Sequence, residues 1–179
     1  MNKLSTLLVA DTVVDYLANF LSRASSKRIE CKIAPYNQVN QILLSEVDPE
    51  AESLLVWTSA DIQIPSYSNL ISFQQVEIDQ IIQEVSQFAS LIRKASKKYK
   101  TIFMLSWTFP PEKKWPLTLA SKSETGAVDV LNRMNIHLSE SLSNIQNFHL
   151  IDQTIPLSHF TEVLHDPRLY AMARIRYSF

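Results

Sequence analysis

The chain has 179 residues, 46% hydrophobic and 20% charged, which fits one globular domain with a well-buried core over 1–179. With 17 basic against 18 acidic residues, the net charge of −1 supplies no overall field toward nucleic acid or anionic lipid; no stretch has the length of a signal or membrane-spanning segment, so a cytoplasmic protein is expected. A single glycine, Gly126, excludes a Walker loop and a dinucleotide fingerprint, which need Cβ-free backbone turned toward phosphate, and a single cysteine, Cys31, excludes an internal disulfide or a cysteine-based zinc site.

Short β-rich runs alternate with longer helical patterns, the signature of a parallel sheet with helices on its faces. The first strand is expected over 4–10, with Asp11 or Thr12 capping a helix that carries Val14, Leu17, Ala18 and Leu21 on one stripe. A second strand over 28–34 places Cys31 in an apolar run expected to be core, and a short helix over 37–44 turns Val39, Ile42 and Leu43 inward. Leu54-Leu55-Val56-Trp57 is nearly continuous in apolar character, as a central strand buried on both faces should be. After a loop containing Pro and Ser, the longest helix is expected over 78–99, with Ile78, Ile81, Ile82, Val85, Phe88, Ala89 and Ile92 on its apolar face. Its end gathers Arg93, Lys94, Lys97, Lys98 and Lys100, cations suited to the negative pole of the helix dipole. The fourth strand is 101–105, followed by a Pro-rich loop over 108–123 lying above the sheet. A helix over 125–142 uses Val128, Leu131, Met134, Ile136 and Leu138, and the fifth strand is 148–151. Short helical patterns follow over 157–164 and 167–173. The fold expected is a three-layer α/β/α domain with a central, mainly parallel five-stranded sheet of flavodoxin-like or SGNH-like type.

In open α/β sheets, ligands bind beyond the carboxyl ends of the strands. Those ends carry Asp11-Thr12, Tyr36-Asn37-Gln38, Thr58-Ser59-Ala60-Asp61, Ser106-Trp107-Thr108 and Asp152, with His165-Asp166 further on. A serine-type hydrolase needs a hydroxyl nucleophile, an imidazole base, a carboxylate to orient it and donors for the oxyanion. Thr12 or Ser59 with His165 and Asp166, or Asp152 as orienter, supply those types. Capping and turn roles account for the same residues, including Asp166 as cap with Pro167 at the first helical position. Asp11, Asn37, Trp107 and Arg168 complete the candidate cleft; Arg168 suits a carboxylate or phosphate, or an ion pair with Asp166 or Asp152. Trp107 and Trp115 serve either as pocket walls or as lid packing. His137, His149 and His159 show no metal-ligand spacing, and neither a metal nor a cofactor is expected.

The strand ends also carry a family likeness. Through Leu8-Val9-Ala10-Asp11-Thr12 leading into Asp15-Tyr16-Leu17, Ala34-Pro35-Tyr36-Asn37-Gln38-Val39 with Gln41-Ile42-Leu43, and Asp166-Pro167-Arg168-Leu169-Tyr170 running to Tyr177-Ser178, the chain resembles the amino-terminal, SGNH-hydrolase-like domain of FkbH-like proteins. The resemblance implies a module that works beside a haloacid-dehalogenase-type phosphatase domain in loading a phosphoglycerate-derived unit onto an acyl carrier protein. The aspartate-rich motif of that phosphatase domain occurs nowhere in these residues, so no magnesium-dependent phosphatase chemistry is expected from them. Within the SGNH pattern, Ala10-Asp11-Thr12 stands at the Gly-Asp-Ser block, Thr58-Ser59-Ala60 at the Gly-x-Asn block, and no Asp-x-x-His fits around His165 and Asp166. Threonine crowds the attacking oxygen, and loss of one oxyanion donor costs about two to three powers of ten in rate. The expectation is therefore a noncatalytic or weakly catalytic module, with a standalone esterase or acyltransferase using Thr12 or Ser59 as the alternative.

Overall fold

All strand pairings are parallel: β1 (Leu4–Ala10), β2 (Ile29–Ile33), β3 (Ser53–Trp57), β4 (Thr101–Leu105) and β5 (Phe148–Ile151) form one five-stranded sheet in the order β2-β1-β3-β4-β5. The computed structural model of the chain describes residues 3–45, 50–153, 166–173 and 175. Parallel neighbours need crossover connections. These contain α1 (Asp15–Ala24), α2 (Val39–Leu44), α3 (Ala60–Gln63), α4 (Pro65–Ile71), α5 (Ile78–Ala95), α6 (Leu117–Ala120) and α7 (Ala127–Leu142), with α8 (Pro167–Ala173) beyond the sheet. Helices cover both faces, so the fold is the expected three-layer α/β/α arrangement.

Pleating sends alternate residues to opposite faces. Leu54, Val56, Ile102 and Met104 are fully buried in the larger core, against Val39 and Leu43 of α2, Tyr67 and Ile71 of α4, Ile81 and Val85 of α5, and Val130 and Met134 of α7. On the other face, Leu8, Ala10 and Trp57 pack with Val14 and Ala18 of α1. Leu55 and Leu105 are only partly buried there, and Ile151 is exposed, so the central strand is more tightly covered on one side than its apolar run predicts. Thr6 and Ser53 face each other across β1 and β3 and bond hydroxyl to hydroxyl at 2.8 Å, which lets two polar side chains sit inside the sheet.

Several expectations need correction. Neither Asp11 nor Thr12 caps α1, which begins at Asp15 after Val14 and has no side-chain cap, because the Asp11 carboxylate is engaged across the sheet edge instead. The expected loop after β3 holds α3 and α4. Pro65 stands at the first position of α4, and Glu84 from α5 accepts from Ser66 N at 3.0 Å and Ser66 Oγ at 2.5 Å. On α7, Ile136 is 57% exposed rather than inward. At about 100° per residue it lies opposite Met134 and Leu138, which are buried. Cys31 is part-buried on an edge strand instead of in the core, and burial raises its thiol pKa. The 108–123 stretch contains the single turn of α6, and the expected helix over 157–164 lies outside the described residues.

Gly126 occupies the N-cap of α7, where a Cβ would stand 2.5 and 2.6 Å from the N and O of Lys122 and closer still to Ala120 O. The chain's one glycine is thus at a point where backbone approaches backbone too closely for any side chain.

Candidate functional site

Because β1 leads outward to β2 while the chain returns to β3 on the other side, the topological switch point falls between the carboxyl ends of β1 and β3. Asp11 stands there, only 1% exposed. Its Oδ2 accepts from Ser59 N at 2.8 Å and from Gln63 Nε2 at 3.1 Å, and its Oδ1 accepts from Ser59 Oγ at 3.3 Å. One buried carboxylate therefore ties the end of β1 to the start of α3. Thr12, also buried, borders an adjoining hollow of about 190 Å3 lined by Ala10, Val13, Val14, Ile33 and Ala34 together with Asp15 and Tyr36.

The next strand end is built around Trp107. Its ring is fully buried, tilted against Phe88 at a centroid distance of 5.5 Å, and its Nε1 donates to Thr58 Oγ1 at 3.0 Å. Asn135 of α7 accepts from Trp107 N at 2.9 Å and donates to Trp107 O at 2.8 Å, substituting for a strand partner where β4 has ended. Trp107 accordingly lies beneath the rim as core and does not wall an open cleft. Trp115 bonds through Nε1 to Ile71 O at 3.0 Å and stacks on Phe73.

At the β4–β5 corner, Ser106 Oγ accepts from Gln153 N at 3.1 Å and donates to Asp152 Oδ1 at 3.4 Å, while Gln153 Nε2 donates to Ser106 O. This corner opens into a hollow of about 600 Å3 between α7 and β5, with Ile136 and Leu150 in its walls and Asn132, Ser139, Glu140 and Asp152 around them.

Of the residues singled out from sequence, Asp11 and Ser59 meet directly and Thr12 is next to them in the chain. Asn37 sits in an exposed turn with φ 58°. Asp166 caps α8, accepting from Arg168 N at 2.9 Å, and Arg168 Nε approaches Asp166 Oδ1 at 3.3 Å, so the guanidinium engages its own helix cap. Those contacts, the backbone N–H first, hold the Asp166 carboxyl below its usual range. His165 and His159 lie outside the described residues. His137 Nε2 bonds to Ser86 Oγ at 2.7 Å between α5 and α7, and the His149 ring lies 5.4 Å from that of Phe103. Among the described residues no three or more His, Cys, Asp or Glu side chains are grouped to hold a metal ion, and no helix is long and apolar enough to cross a membrane. Ser106 and Asp152 are among the strand-end residues expected from sequence, and they bond to each other; Gln63, Asn135 and Gln153 were not picked out, and of these only Gln153 carries a signal, its position just past a strand end.

An all-parallel 2-1-3-4-5 sheet between helical layers, with polar groups at its carboxyl edge, is a doubly wound, three-layer α/β/α fold. No protein-family model matches the chain, and neither does any curated protein. Among solved structures it is similar to the N-terminal part of the protein BF1531 from Bacteroides fragilis, which contains a phosphatase domain complexed with Mg, at 17% identity and a TM-score of 0.77 over 99% of this chain. The chain spans 48% of that structure. It is also similar to a catalytic mutant of Axe2, an acetylxylan esterase from Geobacillus stearothermophilus, at 10% identity and a TM-score of 0.60, covering 99% of this chain and 89% of that one.

Proposed function

We propose that residues 1–179 form a noncatalytic or weakly catalytic SGNH-like module of the FkbH-like type, which works beside a phosphatase-like partner and assists loading of a small acyl unit onto an acyl carrier protein. The observation that carries this reading is the bond from Ser59 N to Asp11 Oδ2. An oxyanion hole needs N–H groups free to meet developing negative charge. Here the backbone N–H at the switch point already serves a carboxylate, and that carboxylate's own charge opposes a second anion beside it. The hollow next to Thr12, walled by Ala10, Val13, Val14, Ile33 and Ala34 with Asp15 and Tyr36 also lining it, has room for a short acyl chain. The BF1531 structure, of which this chain spans 48%, contains a phosphatase domain, and this supports the choice of partner.

A second reading, an esterase with Thr12 or Ser59 as nucleophile, His165 as base and Asp166 as orienter, draws on the Axe2 likeness and on the Ser59 Oγ to Asp11 Oδ1 bond. Hydrolysis of short-chain p-nitrophenyl esters separates the two. The module reading expects rates at background, equal in wild type, Thr12→Ala and Ser59→Ala. Turnover at least about a hundredfold above background that one of these substitutions removes establishes the enzyme.

A further inference from the structure

One stretch of the surface joins exposed apolar area to positive charge. Leaving β4, the chain is anchored by the buried Trp107 and Pro110 and the part-buried Phe109, then emerges as Lys113-Lys114-Trp115-Pro116 and the single turn of α6. Leu117 is 78% exposed, Leu119 47%, and Phe73, just past α4, 65%. Phe73 and Trp115 stack with centroids 4.5 Å apart and planes 9° apart, and Trp115 Nε1 donates to Ile71 O, so the loop and the end of α4 form one surface. Phe73 has φ 61°, a left-handed backbone that residues with a Cβ seldom adopt. Among the described residues, the others with positive φ, Ser26, Lys27, Asn37 and Glu124, are polar. The Phe73 ring is held by its stack on Trp115, yet the residue remains 65% exposed.

Lys113 and Lys114 are exposed, whereas Glu112 Oε2 is buried, so the charge this loop turns outward beside the leucines is positive. An apolar strip bordered by lysines is complementary to a helix whose apolar stripe is bordered by carboxylates. An anionic bilayer would meet the same charge, but two lysines are few for stable anchoring, and the Trp115 N–H is already bonded within the protein.

We propose that Phe73, Trp115, Leu117 and Leu119, with Lys113 and Lys114, form the docking surface for a protein partner presenting an acidic amphipathic helix. The proposal rests on the module reading above and adds where that partner sits. The test titrates the full chain with purified acyl carrier protein, followed by tryptophan fluorescence, to which Trp115 contributes as the part-exposed indole, and by hydrogen exchange. Wild type is compared with Lys113→Glu/Lys114→Glu and Leu117→Ser/Leu119→Ser, both at exposed positions and both checked for an unchanged urea midpoint. Each double variant is expected to weaken binding at least roughly tenfold, with exchange protection confined to 109–120 and the end of α4. Undiminished binding by both variants overturns the surface and leaves the module reading standing. A carrier that does not bind wild type overturns both. Vesicles of equal phosphatidylglycerol and phosphatidylcholine that bind in place of the carrier, with the same sensitivity to the variants, assign the patch to a membrane and overturn the proposal.

Discussion

The two corners of the strand rim gather similar residue types and use them differently. At the β1–β3 corner, both oxygens of the Asp11 carboxylate meet donors from Ser59 and Gln63, at the two ends of α3, and the group is 1% exposed. At the β4–β5 corner, Ser106 and Asn135 are likewise tied to backbone, but Asp152 is exposed and a hollow of about 600 Å3 stands open beside it. Topology delivers polar residues to an edge, and the next helix decides whether they stay available. Where α3 starts directly after β3, its orphan N–H groups draw the nearest carboxylate. Between β4 and α7 the chain runs on through a long loop, and the polar edge stays accessible.

Trp107 bonds toward both corners, so its replacement should blur the contrast most. Trp107→Ala is expected to cost about 3–5 kcal/mol, the range for a buried aromatic, and should abolish cooperative urea unfolding if the whole rim depends on it. Asp11→Ala comes next: it leaves the Ser59 N–H without its acceptor, at about 1–3 kcal/mol by urea midpoint, while Asp11→Asn, which keeps an acceptor oxygen, should recover part of that. A larger loss from Asn than from Ala would contradict the account of the closed corner. Ser106→Ala removes the acceptor for Gln153 N and should cost about 1 kcal/mol, with amide exchange accelerated at Gln153 but not at Ser59. The smallest effect belongs to Asp166, whose folded-state pKa is depressed. Its contribution is present above the ordinary value of 3.8 and fades as pH falls through the lower folded value. Carbon-13 titration of the side chain should place its midpoint below that of an unstructured aspartate; a midpoint at or above it refutes the cap.

Much of the fold was legible because apolar alternation marks strands without help from distant residues. β4 and β5 occupy the ranges expected for them, and β3 differs only by Ser53, whose polar side chain joins the sheet by bonding Thr6. What stayed hidden depends on partners far away in sequence. The N-terminus of α4 is secured by Glu84, eighteen residues on, so 58–77 reads as loop when taken by itself. Convergence of Asp11 and Ser59 followed from strand ends, yet their mutual bond and the part played by Gln63 did not. An amide in a helix sends no signal of its target, and the same holds for Asn135 beside Trp107.

A polypeptide with one glycine and eight prolines has fewer backbone states open to it before it folds than one of average make-up. Among the described residues, five left-handed positions are filled by residues that carry a Cβ, each of which would gain freedom on replacement by glycine chiefly in the denatured ensemble. Connections made this way are stiff, and stiff connections present a surface already shaped for its target, so little ordering remains when two molecules meet.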